Sequence, residues 1–165
     1  MKNSLSVLAA LAALSVTSTA AAEDKPFSIG VFDPVQVVSN SNGIKGARLS
    51  LFYGNNTSLT GFDFAFLGVN RLSQGDMTGA QLALVNWTDG GEQTGAQLGL
   101  VSYTGGHLTG AQLGWAFNYG KEVTGLQFGV VHHAERLNKG IQIGLVNIAK
   151  NGFLPVFVIT NFNFD

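Results

Sequence analysis

Metal binding and proton transfer would fall first to His107, His132, His133 and Glu135. Adjacent histidines on a strand project to opposite faces, so His132 and His133 cannot ligate one ion without a bend between them. Read this way they are solvent-exposed residues at a strand end, and no metal ligand set is assigned. The carboxylates Asp76, Asp89, Glu92 and Glu122 are scattered through turn-like segments. Asp63 and Arg48 are different: they occupy equivalent places in two successive stretches, which predicts that they are neighbours and pair as a structural ion pair. No G-x-S-x-G elbow, H-E-x-x-H helix or phosphate-binding loop is present. The sequons at Asn55, Asn56 and Asn86 are three-residue matches that carry no assignment. The sequence therefore predicts no catalytic residue, no cofactor and no metal.

What must position these groups is a repeat. Thr-Gly-Ala-Gln-Leu occurs at Thr78, Thr94 and Thr109, and looser copies extend the pattern. Units begin at Gly46, Gly61, Gly79, Gly95, Gly110, Gly125 and Gly140. Two residues after each glycine stand Arg48, Asp63, Gln81, Gln97, Gln112, Gln127 and Gln142. Two further on, the residue is always small: Ser50, Ala65, Ala83, Gly99, Gly114, Gly129 and Gly144. Three and five residues after each glycine the side chain is large and apolar, as in Leu98 and Leu100, Leu113 and Trp115, or Ile143 and Leu145.

Alternation with period two predicts a β-strand with Gly, Gln and Gly on one face and aliphatic side chains on the other. A helix would hold the glycines in its interior, at about 1 kcal/mol each relative to alanine. Strand plus turn, repeated seven times, suits two architectures. In a β-solenoid equivalent residues stack about 4.8 Å apart, and a fixed glutamine becomes a hydrogen-bonded ladder. In a small antiparallel outer-membrane β-barrel, neighbours run in opposite directions and nothing requires glutamine at one phase; its strands of about ten residues would suit a bilayer. The fixed glutamine favours the solenoid, which must bend at least twice per coil. The apolar pairs Leu100-Val101 and Leu145-Val146 mark one candidate bend, and the unit-opening glycine another.

The ends depart from the pattern. Residues 27–45 read as an opening strand pair interrupted at Pro34, and residues 153–165 as an aromatic, alternating final strand. Solenoids need such atypical ends. The final strand is also similar to the C-terminal signal of outer-membrane barrels, although Asp165 follows the alternating Phe162 and Phe164. Trp87, Tyr103 and Tyr119 recur near the strand ends and form a candidate contact surface, stacked beside the turns in a solenoid or lying at the membrane interface in a barrel.

Lys2, the apolar run Leu5 to Val16 and Ala20-Ala21-Ala22 predict a signal peptide over residues 1–22, removed before Glu23. No cysteine follows, so a lipoprotein-type anchor at Glu23 is not expected. Residues 23–165 then form a single β-repeat domain. Without Lys2, eight of the nine basic residues face ten acidic ones, a charge near −2 that speaks against a nucleic-acid partner. With no disulfides to hold it, the chain would rely on backbone hydrogen bonds and apolar packing.

The units, above all "GIQIGLVNIAKNGFLPVF" from Gly140 to Phe157, resemble bacterial exported surface-repeat proteins built on Gly-Leu-Gln-Ile-Gly-Leu-Val-Asn units. The similarity runs from about Gly46 to Phe164 and implies an envelope or surface location without implying an activity. "QIGLVNIA" (Gln142, Gly144, Asn147, Ala149) also resembles a curlin repeat, while other units lose at least one of those places, as where Ser102 or Phe117 follows. The expectation is a non-enzymatic, exported protein of the cell envelope, at the outer membrane or cell surface and otherwise in the periplasm. Its role would be structural or interactive, with an envelope or surface partner and self-association open to it; a barrel would instead be a pore, anchor or adhesin.

Overall fold

A computed structural model describes residues 24–32, 35–39, 41–73 and 75–165 of the chain. The expected signal segment and the break at Pro34 lie outside the described residues. The described residues are all-β, in ten strands: β1 (Lys25–Phe32), β2 (Val35–Gln36), β3 (Ile44–Ser50), β4 (Tyr53–Asn56), β5 (Leu59–Ala65), β6 (Val69–Leu72), β7 (Met77–Leu82), β8 (Val85–Thr88), β9 (Gln93–Ala149) and β10 (Val156–Asn163).

The coils stack in parallel. β3 pairs with β5, β5 with β7 and β7 with β9, and each pairing sets Gly46, Gly61, Gly79 and Gly95 in one row. A second parallel set joins β4 to β6, β6 to β8 and β8 to β9, aligning Asn70 with Asn86 and Asn86 with Ser102. Each coil therefore has two strands, and β9 runs through several coils without leaving strand geometry. The strand order β2-β1-β3-β5-β7-β9-β8-β6-β4 descends one sheet and returns along the other because β9 belongs to both. This is a β-solenoid. Parallel pairing throughout the repeat excludes the antiparallel outer-membrane barrel.

The bend between the two strands falls where the consecutive apolar pairs stand: residues 51–52, 66–68 and 83–84 separate successive strands. Bend amides keep ladder partners in the preceding coil: Phe66 N–H donates to the Ser50 carbonyl at 3.0 Å and Leu100 N–H to the Leu84 carbonyl at 2.9 Å. These bonds satisfy donors that would make an irregular loop costly if left unpaired.

The unit-opening glycine is not a corner, as the sequence had allowed, but a point inside the first strand. Its φ is positive in six units, from +124° at Gly95 to +145° at Gly46, a region that L-residues avoid. A Cβ at Gly95 would overlap the carbonyl oxygen of Gly79 in the coil before. Both backbone conformation and coil-to-coil approach demand glycine.

Two ends finish the stack differently. β1 adds a further parallel rung on β3, with Phe27, Ser28 and Ile29 opposite Ala47, Arg48 and Leu49, and Ser28 points inward, fully buried. β10 instead reverses direction and pairs antiparallel with the last coil, placing Asn161 opposite Gln142. Its register shifts between Phe157 and Ile159, and Ile159 carries φ +69°, a β-bulge held by a β-branched residue.

The interior reverses one expectation. Apolar packing was to hold the chain together, yet the apolar face of the first strand points outward and the glutamine face points in. Among the described residues, most buried aliphatics gather in two small clusters toward the turns. One comprises Val38, Ile44, Leu59, Leu72 and Met77; the other Leu108, Val123, Ala134, Leu137 and Ala149. Between them lie Thr88, Gln93 and Thr104, all fully buried. The geometry of the coil explains the reversal. Two short strands joined by tight bends leave an interior one side chain deep, which an extended glutamine fills while bonding to its copies above and below.

Candidate functional site

The inward-facing groups of the first strand make one continuous hydrogen-bonded chain. Gln142 Nε2 donates to Gln127 Oε1 at 2.7 Å, Gln127 Nε2 to Gln112 Oε1 at 2.7 Å, and Gln112 Nε2 to Gln97 Oε1 at 3.0 Å. Gln97 Nε2 donates to Gln81 Oε1 at 2.8 Å, and Gln81 Nε2 to Asp63 Oδ2 at 3.1 Å. Arg48 closes the row by donating from Nε to Asp63 Oδ1 at 2.7 Å and from its NH2 nitrogen to Asp63 Oδ2. Every side-chain amide points the same way, donor toward the N-terminal end. A carboxylate therefore receives the positive end of aligned dipoles, and a guanidinium neutralises that carboxylate.

The predicted neighbours Arg48 and Asp63 are thus brought together, both essentially inaccessible to solvent. Arg48 also donates to Asn56 Oδ1 at 3.0 Å. This satisfies a buried ion pair that would otherwise be costly to desolvate. At the opposite end, Gln142 Oε1 is buried without a hydrogen-bond partner among the described residues. The ladder ends there: facing Asn161 donates from Nδ2 to the Leu154 carbonyl.

A second inward row explains the small residue two places beyond each glutamine. Asn118 Nδ2 reaches the carbonyls of Gly114 and Phe128 at 2.9 and 3.0 Å, and its Oδ1 accepts from Gly114 N–H at 2.9 Å. Asn86 Nδ2 reaches the Leu98 carbonyl at 2.7 Å, and Asn147 Nδ2 the Gly144 carbonyl at 2.9 Å. These side chains brace the bend from within. A Cβ at Gly114 would meet Asn118, and one at Gly144 would meet His132.

His132 belongs to this row. It is fully buried, contrary to the expected solvent-exposed strand end. Its Nε2 lies 2.8 Å from the Ile143 carbonyl and its Nδ1 3.0 Å from Asn118 Nδ2. Donor to the carbonyl and acceptor from the amide, the neutral Nε2–H tautomer satisfies both. Burial lowers its pKa from the ordinary value, against smaller opposing contributions from Ile143 and Gly129. His133 faces the other way, edge-on to Tyr119 with centroids 5.4 Å apart. The two histidines do point to opposite faces, and among the described residues no group of three or more His, Cys, Asp or Glu side chains could hold a metal ion.

Trp87, Tyr103 and Tyr119 form a column on the outer face of the second strand, with ring centroids 4.0 and 4.8 Å apart and planes within 16° and 8°. Their faces are consumed by one another. Trp87 Nε1 donates to Asp89, which is also paired with Arg71, and Tyr119 Oη donates to Glu135 at 2.6 Å. That hydrogen bond is the main reason the Tyr119 pKa is pushed up to about 12, and it lowers that of Glu135. Half-buried and internally partnered, this column is less open than expected of a contact surface. A shallow cleft of about 430 Å³ opens among the turns, lined by Gly90, Gly91, Glu92, Gly106, His107, Lys121 and Glu122. Within it His107 pairs with Glu122 at 3.5 Å, and Glu122 also faces Arg136 at 3.8 Å.

The exposed feature without partners is the outer face of the first sheet. Phe62, Leu82, Phe128 and Ile143 stand along it, and exposure rises toward the bend, to 63% at Phe66, 67% at Leu145 and 70% at Trp115. Charged residues on these strands, Arg48 and Asp63, point inward, so the face carries no charge between the Lys45 and Lys139 ends of its threonine-rich border. The sequence showed this apolar row; what it lacked was any sign that the row would face out, because period two assigns residues to two faces without saying which is inside. No family model, curated protein or solved structure matches the chain.

Proposed function

We propose that this chain is a non-enzymatic, exported β-solenoid of the bacterial envelope or surface that works as a structural or interaction module. The observation that carries the reading is the inverted distribution of its side chains. Four groups able to do chemistry are committed to structure: Asp63 and Arg48 to the ladder, His132 to the bend, Glu135 to Tyr119. The surface left over is a charge-free apolar sheet, larger than the few hundred Å² that soluble monomers ordinarily expose. Such a surface supports binding, not turnover. The signal-like segment over residues 1–22 and the resemblance to surface-repeat proteins support the location.

Expression of the full chain in a Gram-negative host tests this. Processed protein beginning at Glu23 and recovered with the envelope or medium is the expected result. Uncleaved protein retained in the cytoplasm would overturn the assignment of location, and turnover of any substrate by the purified chain would overturn the non-enzymatic part.

A further inference from the structure

We propose that the apolar face of the first sheet is covered by the same face of a second copy of this chain, giving a face-to-face dimer with a two-fold axis across the stack. The inference rests on the interaction-module reading and names its partner. Area is the first argument. Rungs about 4.8 Å apart and a rise of about 3.3 Å per residue make six residues across seven units a patch of about 20 by 34 Å. Two such patches bury roughly 1,400 Å², within the range of stable protein interfaces.

Shape is the second. Parallel in-register coils place like side chains in rows: Leu82, Leu98 and Leu113 in one, and Leu84, Leu100 and Trp115 in the next. Rows of equal spacing interdigitate with an identical set, as in sheets packed about 10 Å apart. Trp115, the most exposed of the large apolar residues and near the middle of the seven units, is of the type that anchors interfaces. Threonines 60, 78, 94 and 109, all exposed, supply a polar rim.

Charge is the third, and it separates a second copy from a lipid surface. Interfacial binding is strengthened by lysine and arginine beside the apolar face. Here the exposed charges beside the threonine rim are of both signs and paired with one another, as in Lys45–Asp24, His107–Glu122–Arg136 and Arg71–Asp89. The chain is slightly acidic overall, with a net charge of −1. Two uncharged faces meet without repulsion, whereas an anionic bilayer gains nothing from this arrangement.

Sedimentation equilibrium of the purified chain, without detergent, is expected to give twice the single-chain mass. Leu100→Lys should raise the dimer Kd by at least about 100-fold while leaving the far-ultraviolet circular dichroism unchanged. Because a charged variant can also misfold, a second measurement uses Trp87→Phe, which leaves Trp115 as the sole tryptophan. Its emission should shift to the blue as concentration rises through the dimer Kd. Three results overturn the proposal: a monomer whose Trp115 emission stays water-exposed at all concentrations; a monomer that instead co-sediments with phosphatidylcholine vesicles; or a dimer indifferent to Leu100→Lys but lost with Ile159→Pro in the terminal strand. These measurements do not depend on where the protein resides, so their failure leaves the export reading standing, and cytoplasmic retention leaves the dimer standing.

Discussion

At the scale of single residues, stability here rests on buried polar groups that are safe only while each keeps its partner. Gln112 shows this best. Its two amide hydrogens are shared among Gln97 Oε1, Thr104 Oγ1 and the Tyr119 carbonyl, and its Oε1 accepts from Gln127. Gln112→Leu removes these contacts and leaves the Gln127 amide facing a methyl group. An unsatisfied buried donor costs about 1–3 kcal/mol, so urea unfolding should show a loss of about 2–3 kcal/mol. An unchanged midpoint would mean that the ladder contributes little. His132 adds a pH dependence. Its folded pKa lies below the unfolded value of 6.5, so between those values the unfolded chain binds more protons and stability rises with pH. As pH falls below about 6.5, this contribution is lost. Melting temperature should therefore drop between pH 7.5 and 5.5, and His132→Asn should flatten that drop.

At the scale of elements, the first strand depends on a glycine that no other residue replaces. Gly95→Ala would force an L-residue to φ +124° and press its methyl group into the Gly79 carbonyl. Conformational strain alone costs about 1–3 kcal/mol, and the overlap adds to it. Thermal melts should show a loss of at least about 3 kcal/mol, or no folded protein. A melt matching the wild type would show that the coils can slide apart. Much of this element was legible beforehand. The positions of Gly, Gln and the small residue gave strand, register and the bend at the apolar pair. The role of the small residue was not legible, because the Asn118 or His132 side chain that occupies its space comes from the second strand, at a distance in sequence set by the bend.

At the scale of the whole molecule, a parallel stack has two ends with unpaired backbone groups, an open invitation to another chain. β10 closes one of them by reversing direction against Ile141, Ile143 and Ile148. A chain truncated after Gly152 loses that rung and exposes the edge of the last coil. It should form end-to-end oligomers or fibres, seen as a concentration-dependent rise in light scattering and in amyloid-dye fluorescence. A truncated protein that scatters no more than the full chain would show that the cap is dispensable. The absence of charge from the middle of one sheet face, between Lys45 and Lys139 on its border, also emerges only at this scale.

By itself the sequence determined the repeat, the strand, the fixed phase of glutamine and the pairing of Arg48 with Asp63, because period and spacing are one-dimensional quantities. The choice of solenoid over barrel was foreshadowed by the glutamines and decided by parallel pairing. Tertiary structure alone decided which face of the strand is inside. Hydrophobicity argued for burying the leucines, but an interior one side chain deep, closed by two tight bends, takes the residue that can bond to its own copies along the stack. That is why the polar side of Thr-Gly-Ala-Gln-Leu lies within, why His132 is buried, and why an apolar sheet faces outward.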